Sequence, residues 1–248
     1  MIALPSPPAD LLCGAALFLD FDGTLVEIAP TPDAVSVPDM LGALLGQIGK
    51  SLGGGVAIIS GRAVGEIRRM LPGAALTVAG SHGQEIARAG RDLVAPPRPA
   101  ALDLALAQVR TFAAEHDGVL VEDKPLGIGL HYRSAPAVEP AAVAFATALA
   151  TRHGLHLQRG KMVAELRVAG GGKGEALDVL MREPPFAPMR PVFMGDDLTD
   201  EPAFAAAERH GGAGILIGPP RDTAARYRLP SVTAALAWLD AATARQTA

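Results

Sequence analysis

The sequence predicts an α/β protein with a doubly wound, mostly parallel sheet and a small inserted α+β domain. Three observations predict it. Short apolar runs end repeatedly in clusters of glycine and polar residues, helical patterns separate these runs, and the middle of the chain follows a different order. Strands that alternate with helices favour a parallel sheet with right-handed crossovers.

Five apolar runs have the length and composition of buried parallel strands. They are residues 15–19, 56–59, 76–79, 192–194 and 214–217. Each run stops at glycine or polar side chains, and the carboxyl ends of parallel strands meet at one edge of a sheet, where ligands bind. We therefore expect a Rossmann-like core with all five polar clusters on one edge.

Helical spacing of apolar residues separates the strands of this core. The clearest example places Leu41, Leu44, Leu45 and Ile48 on one face. The predicted helices of the core are residues 38–48, 64–71, 173–181, 199–207 and 232–239.

The middle of the chain breaks this alternation. Residues 96–99 (Pro-Pro-Arg-Pro) have the composition of a stiff linker, and a glycine run at 170–172 returns the chain to the core. Between them we expect helix, two strands, helix and two strands, at residues 102–114, 118–122, 127–132, 138–153, 155–159 and 162–168. We assign residues 1–99 and 169–248 to the core and 100–168 to an inserted α+β domain.

Composition excludes several classes of function. The 22 basic and 26 acidic side chains leave a formal charge of −4, which argues against nucleic acid as a partner. The only cysteine, Cys13, excludes an internal disulfide and is expected to be buried. The apolar run that leads into residue 19 has no basic stretch before it, and no apolar stretch approaches the length of a membrane helix. We expect a cytoplasmic protein with no membrane partner, and the composition is compatible with a monomer.

The first strand ends in two carboxylates, Asp20 and Asp22, followed by Gly23 and Thr24. Two like charges at the end of a buried strand repel unless a cation lies between them, and oxygen ligands favour Mg²⁺. Asp20 is the candidate nucleophile on phosphorus, and Asp22 is the candidate general acid and base. For an isolated Asp-x-Asp segment, capping of a helix would be the better interpretation.

Other strand ends and helix starts supply matching groups. A phosphoryl group needs donors for its oxygens, which Thr24 and Ser60 provide. Lys173 opens a helix after three glycines, so its ammonium is expected to bind the phosphoryl group and neutralise its charge. Residues 170–174 do not form a nucleotide-binding P-loop, because glycine follows the lysine. Asp196 is a predicted metal ligand with Asp20 and Asp22, while Asp197 and Asp200 are expected to orient it or to bind through water. A helix cap is an equally good interpretation of Asp200.

These four segments, in this order, resemble the motifs of the haloacid dehalogenase superfamily of aspartate-nucleophile phosphatases. Further segments make the chain similar to the trehalose-6-phosphate phosphatase family, over about residues 17–239. They are residues 60–62 (Ser-Gly-Arg), 81–83 (Ser-His-Gly), 122–124 (Glu-Asp-Lys), 131–133 (His-Tyr-Arg) and 195–201 (Gly-Asp-Asp-Leu-Thr-Asp-Glu). The resemblance implies a phosphatase that hydrolyses trehalose 6-phosphate with Mg²⁺ through an aspartyl-phosphate, and it makes the inserted domain a cap on a catalytic core.

The resemblance also implies substrate contacts. Glu122, Lys124 and Glu165 are expected to hydrogen-bond sugar hydroxyls, with Arg133 near the site. Gly61 is assigned to phosphate binding with Ser60, and Arg62 to substrate binding. His82 is expected to pack rather than to bind sugar, and His131 to be structural.

Three alternatives stay open from the sequence. The first is a related capped phosphatase acting on sucrose phosphate or a glycosyl phosphoglycerate. A phosphosugar mutase would keep the aspartyl-phosphate but exclude water, and an inactive sensor would bind sugar phosphate without turnover. The intact set of Asp20, Asp22, Lys173 and Asp196 argues against the sensor.

Overall fold

The structure is a computed structural model that describes residues 4–244. The chain separates into two compact units, Met1–Val94 with Gly171–Ala248 and Ala95–Gly170. Sequence analysis placed this division at residues 100 and 168. The assignment of the second unit as a cap stays a prediction. No helix within residues 4–244 has both the length and the apolar character needed to span a bilayer.

The strands of the described residues follow in chain order. They are β1 (Ala15–Leu19), β2 (Val56–Ile59), β3 (Thr77–Gly80), β4 (Glu85–Ala87), β5 (Leu93–Val94), β6 (Leu120–Lys124), β7 (Gly127–His131), β8 (His156–Gly160), β9 (Val163–Arg167), β10 (Arg190–Gly195), β11 (Ala213–Ile217) and β12 (Tyr227–Leu229). All predicted strands have a counterpart here. The β4, β5 and β12 strands were not predicted.

The α-helices of the described residues lie between these strands. They are α1 (Leu41–Ser51), α2 (Val64–Met70), α3 (Ala100–Ala114), α4 (Glu139–His153), α5 (Lys173–Leu180), α6 (Glu201–Arg209) and α7 (Val232–Ala244). The α6 helix begins later than predicted, because Leu198–Asp200 forms a 3₁₀ turn capped by Asp197.

The first unit contains an eight-stranded sheet in the order β12-β11-β10-β1-β2-β3-β4-β5. Its strands from β12 to β3 are parallel, and β4 and β5 continue the sheet in antiparallel fashion. The central strand β1 lies between β10 and β2, with Leu19 in register with Met194 and Ile58. The carboxyl ends of these three strands are therefore neighbours, as the sequence predicted.

Alternate side chains of β1 enter two different cores, which makes the sheet doubly wound. Leu17 and Leu19 pack in a cluster with the buried residues of α1, α2 and α7. Ala16 and Phe18 pack on the opposite face with the buried residues of α5 and α6. The predicted α/β fold class is confirmed.

The second unit is a four-stranded antiparallel sheet in the order β6-β7-β9-β8. Its own core joins α3 and α4 to one face of this sheet, through side chains such as Ile128, Leu130 and Leu166. Because side chains alternate along strands, the opposite face carries Glu165, Gly129 and Glu122, which are aligned by the strand register.

One predicted burial was wrong. Cys13 is exposed. The apolar run before Asp20 is not one continuous strand, because a turn at residues 9–14 precedes β1, with the N–H of Cys13 donating to the carbonyl of Asp10. Leu12 takes the buried position in that turn.

Candidate active site

The end of β1 turns sharply after Asp20. The N–H of Gly23 donates to the carbonyl of Val26, and that of Leu25 donates to the carbonyl of Phe21. Gly23 has a φ of 82°, and a Cβ there would collide with the carboxylate of Asp196. Only glycine fits, because the backbone is left-handed and the two strand ends approach closely. The turn therefore brings Gly23 against Asp196, while the pairing of β1 with β10 places Asp20 beside the end of β10.

Lys173 joins the nucleophile candidate to a second carboxylate. It is the first residue of α5 and is 4% exposed. Its Nζ lies 2.7 Å from Oδ1 of Asp20 and 2.6 Å from Oδ1 of Asp200. Burial opposes the charge of Lys173, but Asp20 and Asp200 outweigh burial and raise its pKa. The side chain therefore stays a cation.

Asp200 has two kinds of partner and is fully buried. Its Oδ2 accepts the N–H of Asp196 at 2.9 Å and the N–H of Asp197 at 2.8 Å, while Oδ1 accepts from Lys173. Asp200 therefore fixes both the turn that carries Asp196 and the ammonium beside Asp20. Asp200 makes no capping hydrogen bond to α6, but its contact with the N–H of Asp197 is half of a capping box on the 3₁₀ turn, so it has a capping role there in addition to its contact with Lys173.

Asp20, Asp196 and Asp200 offer carboxylate oxygens that all lie within 4.8 Å of one another. Burial raises the pKa of Asp20, and the charges of Asp200 and Asp196 raise it further against the opposing effect of Lys173. Three carboxylates and one ammonium leave two negative charges, which match one divalent cation. The hard oxygen donors and their convergence fit a metal site.

Two of the predicted metal residues, Asp22 and Asp197, have other partners for their carboxylates. The carboxylate of Asp22 accepts two hydrogen bonds from Arg62, Nε to Oδ2 at 2.7 Å and Nη2 to Oδ1 at 2.9 Å. Asp197 accepts from the N–H of Leu198 at 2.7 Å and caps the turn there. Neither carboxylate belongs to the cluster of three.

Arg62 therefore contacts the candidate acid and base rather than standing alone as a substrate group. Its guanidinium also donates to the carbonyl of Pro32 at 3.1 Å. The fork of a guanidinium matches both oxygens of a carboxylate, which fixes the orientation of Asp22. The substrate-binding role assigned to Arg62 stays a prediction.

Thr24 and Ser60, the predicted phosphate donors, are both buried. Ser60 Oγ accepts the N–H of Arg62 at 3.1 Å. Within the described residues 4–244, the hydroxyl of Thr24 has no hydrogen-bond partner. A buried hydroxyl without a partner costs stability, which a bound ligand with polar oxygens would restore.

A second turn lies against the segment Ser60-Gly61-Arg62, which we call the phosphate loop. Ser81 and His82 have φ of 48° and 55°, which is the left-handed region. Their N–H groups donate to the carbonyls of Arg62 and Ser60 at 2.8 and 2.9 Å. Each residue in this conformation costs about 1–3 kcal/mol, and the conformation persists only where the surrounding structure holds it. His82 is buried, and a Cβ on Gly61 would lie 2.8 Å from its ring.

Two residues at this site, Glu85 and Arg221, were missed by sequence reasoning. Glu85 follows the strained turn, and Arg221 joins the β11 loop to the turn that carries Asp196, through the carbonyl of Asp197 and the carboxylate of Glu201. Glu201 ends the segment 195–201 quoted in the sequence analysis, but it was given no role there. Neither missed residue carried a signal in the sequence.

The second unit has its own charged cluster on the face of the sheet opposite α3 and α4. Lys124 Nζ lies 2.9 Å from Glu165 and 3.6 Å from Glu122. His131 Nε2 lies 2.7 Å from Glu122. Burial acts to raise the pKa of Glu122, but His131 and Lys124 together lower it. The exposed Arg133 donates to the carbonyl of Lys161.

The fold of this chain is similar to that of the haloacid dehalogenase-like hydrolases. A hydrolase of that description from Bacteroides thetaiotaomicron superposes with a TM-score of 0.65 at 14% identity, over 91% of this chain and 98% of that one. This likeness concerns the fold alone. The site supplies what the class requires, a carboxylate nucleophile candidate beside a buried lysine and a second acidic strand end.

The family follows from more specific comparisons. The trehalose-phosphatase family model matches residues 18–233. A probable trehalose-phosphate phosphatase of Sinorhizobium fredii is 39% identical over 83% of this chain and 78% of its own length. The Escherichia coli trehalose-6-phosphate phosphatase is 38% identical over 91% and 85%. A trehalose-6-phosphate phosphatase related protein of known structure, 26% identical, gives a TM-score of 0.78 over 90% of this chain and 94% of that one. The chain belongs to the trehalose-phosphatase family.

Proposed function

We propose that this protein hydrolyses trehalose 6-phosphate to trehalose and inorganic phosphate, with Asp20 as nucleophile and Mg²⁺ as cofactor. The observation that carries the proposal is the contact of the buried Asp20 with Lys173, inside a group of three converging carboxylates. The sequences of the named relatives support the choice of substrate.

The first step is attack of an Asp20 oxygen on phosphorus. The bond from phosphorus to the sugar oxygen breaks, and the sugar leaves with a proton from Asp22. Lys173 holds Asp20 through Oδ1 and supplies a positive charge where the phosphoryl charge develops. Thr24 and the phosphate loop, which includes Gly61, supply donors to the phosphoryl oxygens.

The second step returns the enzyme to its starting state. Asp22 takes a proton from water, the water oxygen attacks the phosphorus of the aspartyl-phosphate, and Asp20 leaves as a carboxylate. Arg62 orients the carboxylate form of Asp22, which is the form that takes the proton from water. Asp20 and Asp196 would hold Mg²⁺, and Asp200 would hold the turn that carries Asp196. The ion would supply positive charge to neutralise the phosphoryl group. The carboxylates of Asp22 and Asp197 lie outside the cluster of three, so the metal roles predicted for them stay predictions.

Sugar selection is assigned to the second unit. Glu122, Lys124 and Glu165 form a dense set of donors and acceptors on one sheet face, which suits the hydroxyls of a disaccharide. Gly129 lies opposite Glu122 and Glu165 in the strand register, and the side chains of His131 and Glu122 occupy the position that a Cβ there would take. Arg133 is the fourth residue proposed for substrate binding.

A phosphate-release screen tests the proposal. Trehalose 6-phosphate, sucrose 6-phosphate, glucosyl-3-phosphoglycerate and glucose 6-phosphate are compared with Mg²⁺ and with EDTA, and Asp20→Asn serves as the control for contaminating phosphatases. We expect trehalose 6-phosphate to be hydrolysed with the highest kcat/KM, only with Mg²⁺. A preference for another sugar phosphate overturns the substrate, and activity in EDTA overturns the metal.

A further inference from the structure

The phosphate loop has no regular structure of its own. It lies between the end of β2 and the start of α2, and its carbonyl oxygens point to the strained turn rather than into a sheet. Ser81 donates its N–H to the carbonyl of Arg62, the last residue of the loop. His82 donates its N–H to the carbonyl of Ser60, the first residue. The position of the phosphate loop therefore depends on whatever holds this turn in its left-handed conformation.

Glu85 is the side chain that holds it. It is 3% exposed, and one carboxylate oxygen, Oε2, accepts both the hydroxyl of Ser81 at 2.8 Å and the N–H of Val64 at 3.1 Å. Ser81 is the first left-handed residue, and Val64 is the first residue of α2. A single oxygen thus ties the strained turn to the element that follows the phosphate loop.

Close packing transmits this position to the loop. A Cβ on Gly80 would lie 2.8 Å from the carbonyl oxygen of Arg62, and one on Gly61 would lie 2.8 Å from the ring of His82. The two segments are in close contact at both glycines, where a side chain would not fit. A shift of Ser81 and His82 must therefore move the loop that carries Ser60 and Arg62.

We propose that Glu85 is a positioning residue for phosphoryl transfer, which fixes the phosphate loop by holding the turn at Ser81 and His82. The proposal rests on the proposed function of the loop as a phosphate site. Its consequence reaches both proposed roles of the loop, the donor at Ser60 and the orientation of Asp22 by Arg62.

The test compares substitutions that keep volume but differ in hydrogen bonding. Glu85→Leu removes the acceptor, Glu85→Gln keeps an oxygen that accepts both bonds, and Ser81→Ala removes one bond. Glu183→Leu is the matched control, because it removes a carboxylate that pairs with Arg88 in the same unit. Hydrolysis of p-nitrophenyl phosphate, inhibition by orthovanadate, half-saturation by Mg²⁺ and thermal unfolding are measured for each protein.

For Glu85→Leu we expect kcat to fall and the inhibition constant of orthovanadate to rise, each by about 10- to 100-fold, because small displacements at a reacting centre have effects of this size. Half-saturation by Mg²⁺ should stay within about twofold, because Glu85 contacts none of the three clustered carboxylates. Glu85→Gln should restore most of the activity, and Ser81→Ala should lie between the two.

Unchanged kcat and orthovanadate inhibition in Glu85→Leu, measured well below its unfolding temperature, would overturn the proposal and make Glu85 a residue of stability only. If Glu85→Leu does not fold, the same comparison between Ser81→Ala and Glu85→Gln decides. Failure of the proposed substrate is read separately, from wild-type protein that hydrolyses the aryl phosphate but not trehalose 6-phosphate. Orthovanadate binding followed by thermal shift tests the loop without turnover.

Discussion

At the scale of single residues, the charge around Asp20 explains both its reactivity and its cost. A buried carboxylate beside two others is unfavourable, and the raised pKa of Asp20 expresses that penalty. Lys173 relieves it in part, and a divalent cation would relieve the remainder. The site stores destabilising charge in the free protein, which ligand binding then compensates.

Replacing Asp20 by asparagine separates chemistry from stability. The amide is nearly isosteric but is no nucleophile, so we expect kcat to fall by at least about 1,000-fold. Because the charged form of Asp20 is disfavoured by burial, the neutral variant should unfold at the same temperature as the wild type or higher in EDTA. Phosphate release and thermal unfolding check both expectations. Substantial turnover by purified Asp20→Asn would refute the nucleophile.

At the scale of elements, the turn that carries Asp196 is held by Asp200, which lies in the turn itself, and by Arg221 in the loop after β11. Asp200 holds it from inside through two backbone N–H groups. Arg221, in the loop after β11, holds it from outside by donating to the carbonyl of Asp197 at 2.9 Å. Glu201 anchors that loop in turn, accepting from Arg221 and from the N–H of Ala224.

This outer contact gives a prediction about metal affinity. Arg221→Met keeps the apolar stem but removes the hydrogen bond to Asp197, so the turn becomes less ordered. We expect the Mg²⁺ concentration for half-maximal activity to rise about tenfold, the size typical of groups that orient metal ligands, with little change of kcat at saturation. Thermal shift against Mg²⁺ provides a second readout. Arg226→Met is the control, because it removes another arginine of the same unit, one that pairs with Glu208. An equal effect in both variants would contradict the prediction.

The sequence predicted the elements whose signals are local. Asp20, Ser60 and Asp196 follow the ends of β1, β2 and β10. A parallel sheet brings the carboxyl ends of its strands to one edge whatever the loops do, so the sequence predicted that these three residues lie close together. The short strands β4, β5 and β12 escaped prediction, since two or three residues form no hydrophobic period. The pairing of Arg62 with Asp22 joins positions 40 residues apart. The role of Arg221 depends on contacts 20 and 24 residues away, and that of Glu85 on a contact 21 residues away as well as on the nearby Ser81. No pattern along the chain encodes these.

At the scale of the whole molecule, each unit carries a separate part of the proposed function. The first unit holds the carboxylates, Lys173 and the phosphate loop, to which the proposal assigns the chemistry. The second unit has an independent hydrophobic core and a polar sheet face, to which the proposal assigns sugar selection. If chemistry and selection reside on separate cores in this way, a substitution in one part should leave the other intact.

Glu122→Ala tests this division of labour. Glu122 belongs to the hydrogen-bonded group with His131 and Lys124, and Lys124 keeps Glu165 when Glu122 is removed. If Glu122 binds sugar hydroxyls, kcat/KM for trehalose 6-phosphate should fall by about 10- to 100-fold, while hydrolysis of p-nitrophenyl phosphate changes by less than about twofold. The control is Glu139→Ala, which removes a carboxylate paired with Arg159 in the same unit. Equal losses on both substrates would make Glu122 structural, whereas a selective loss would show that the second unit selects the sugar while Asp20 and its neighbours perform the hydrolysis.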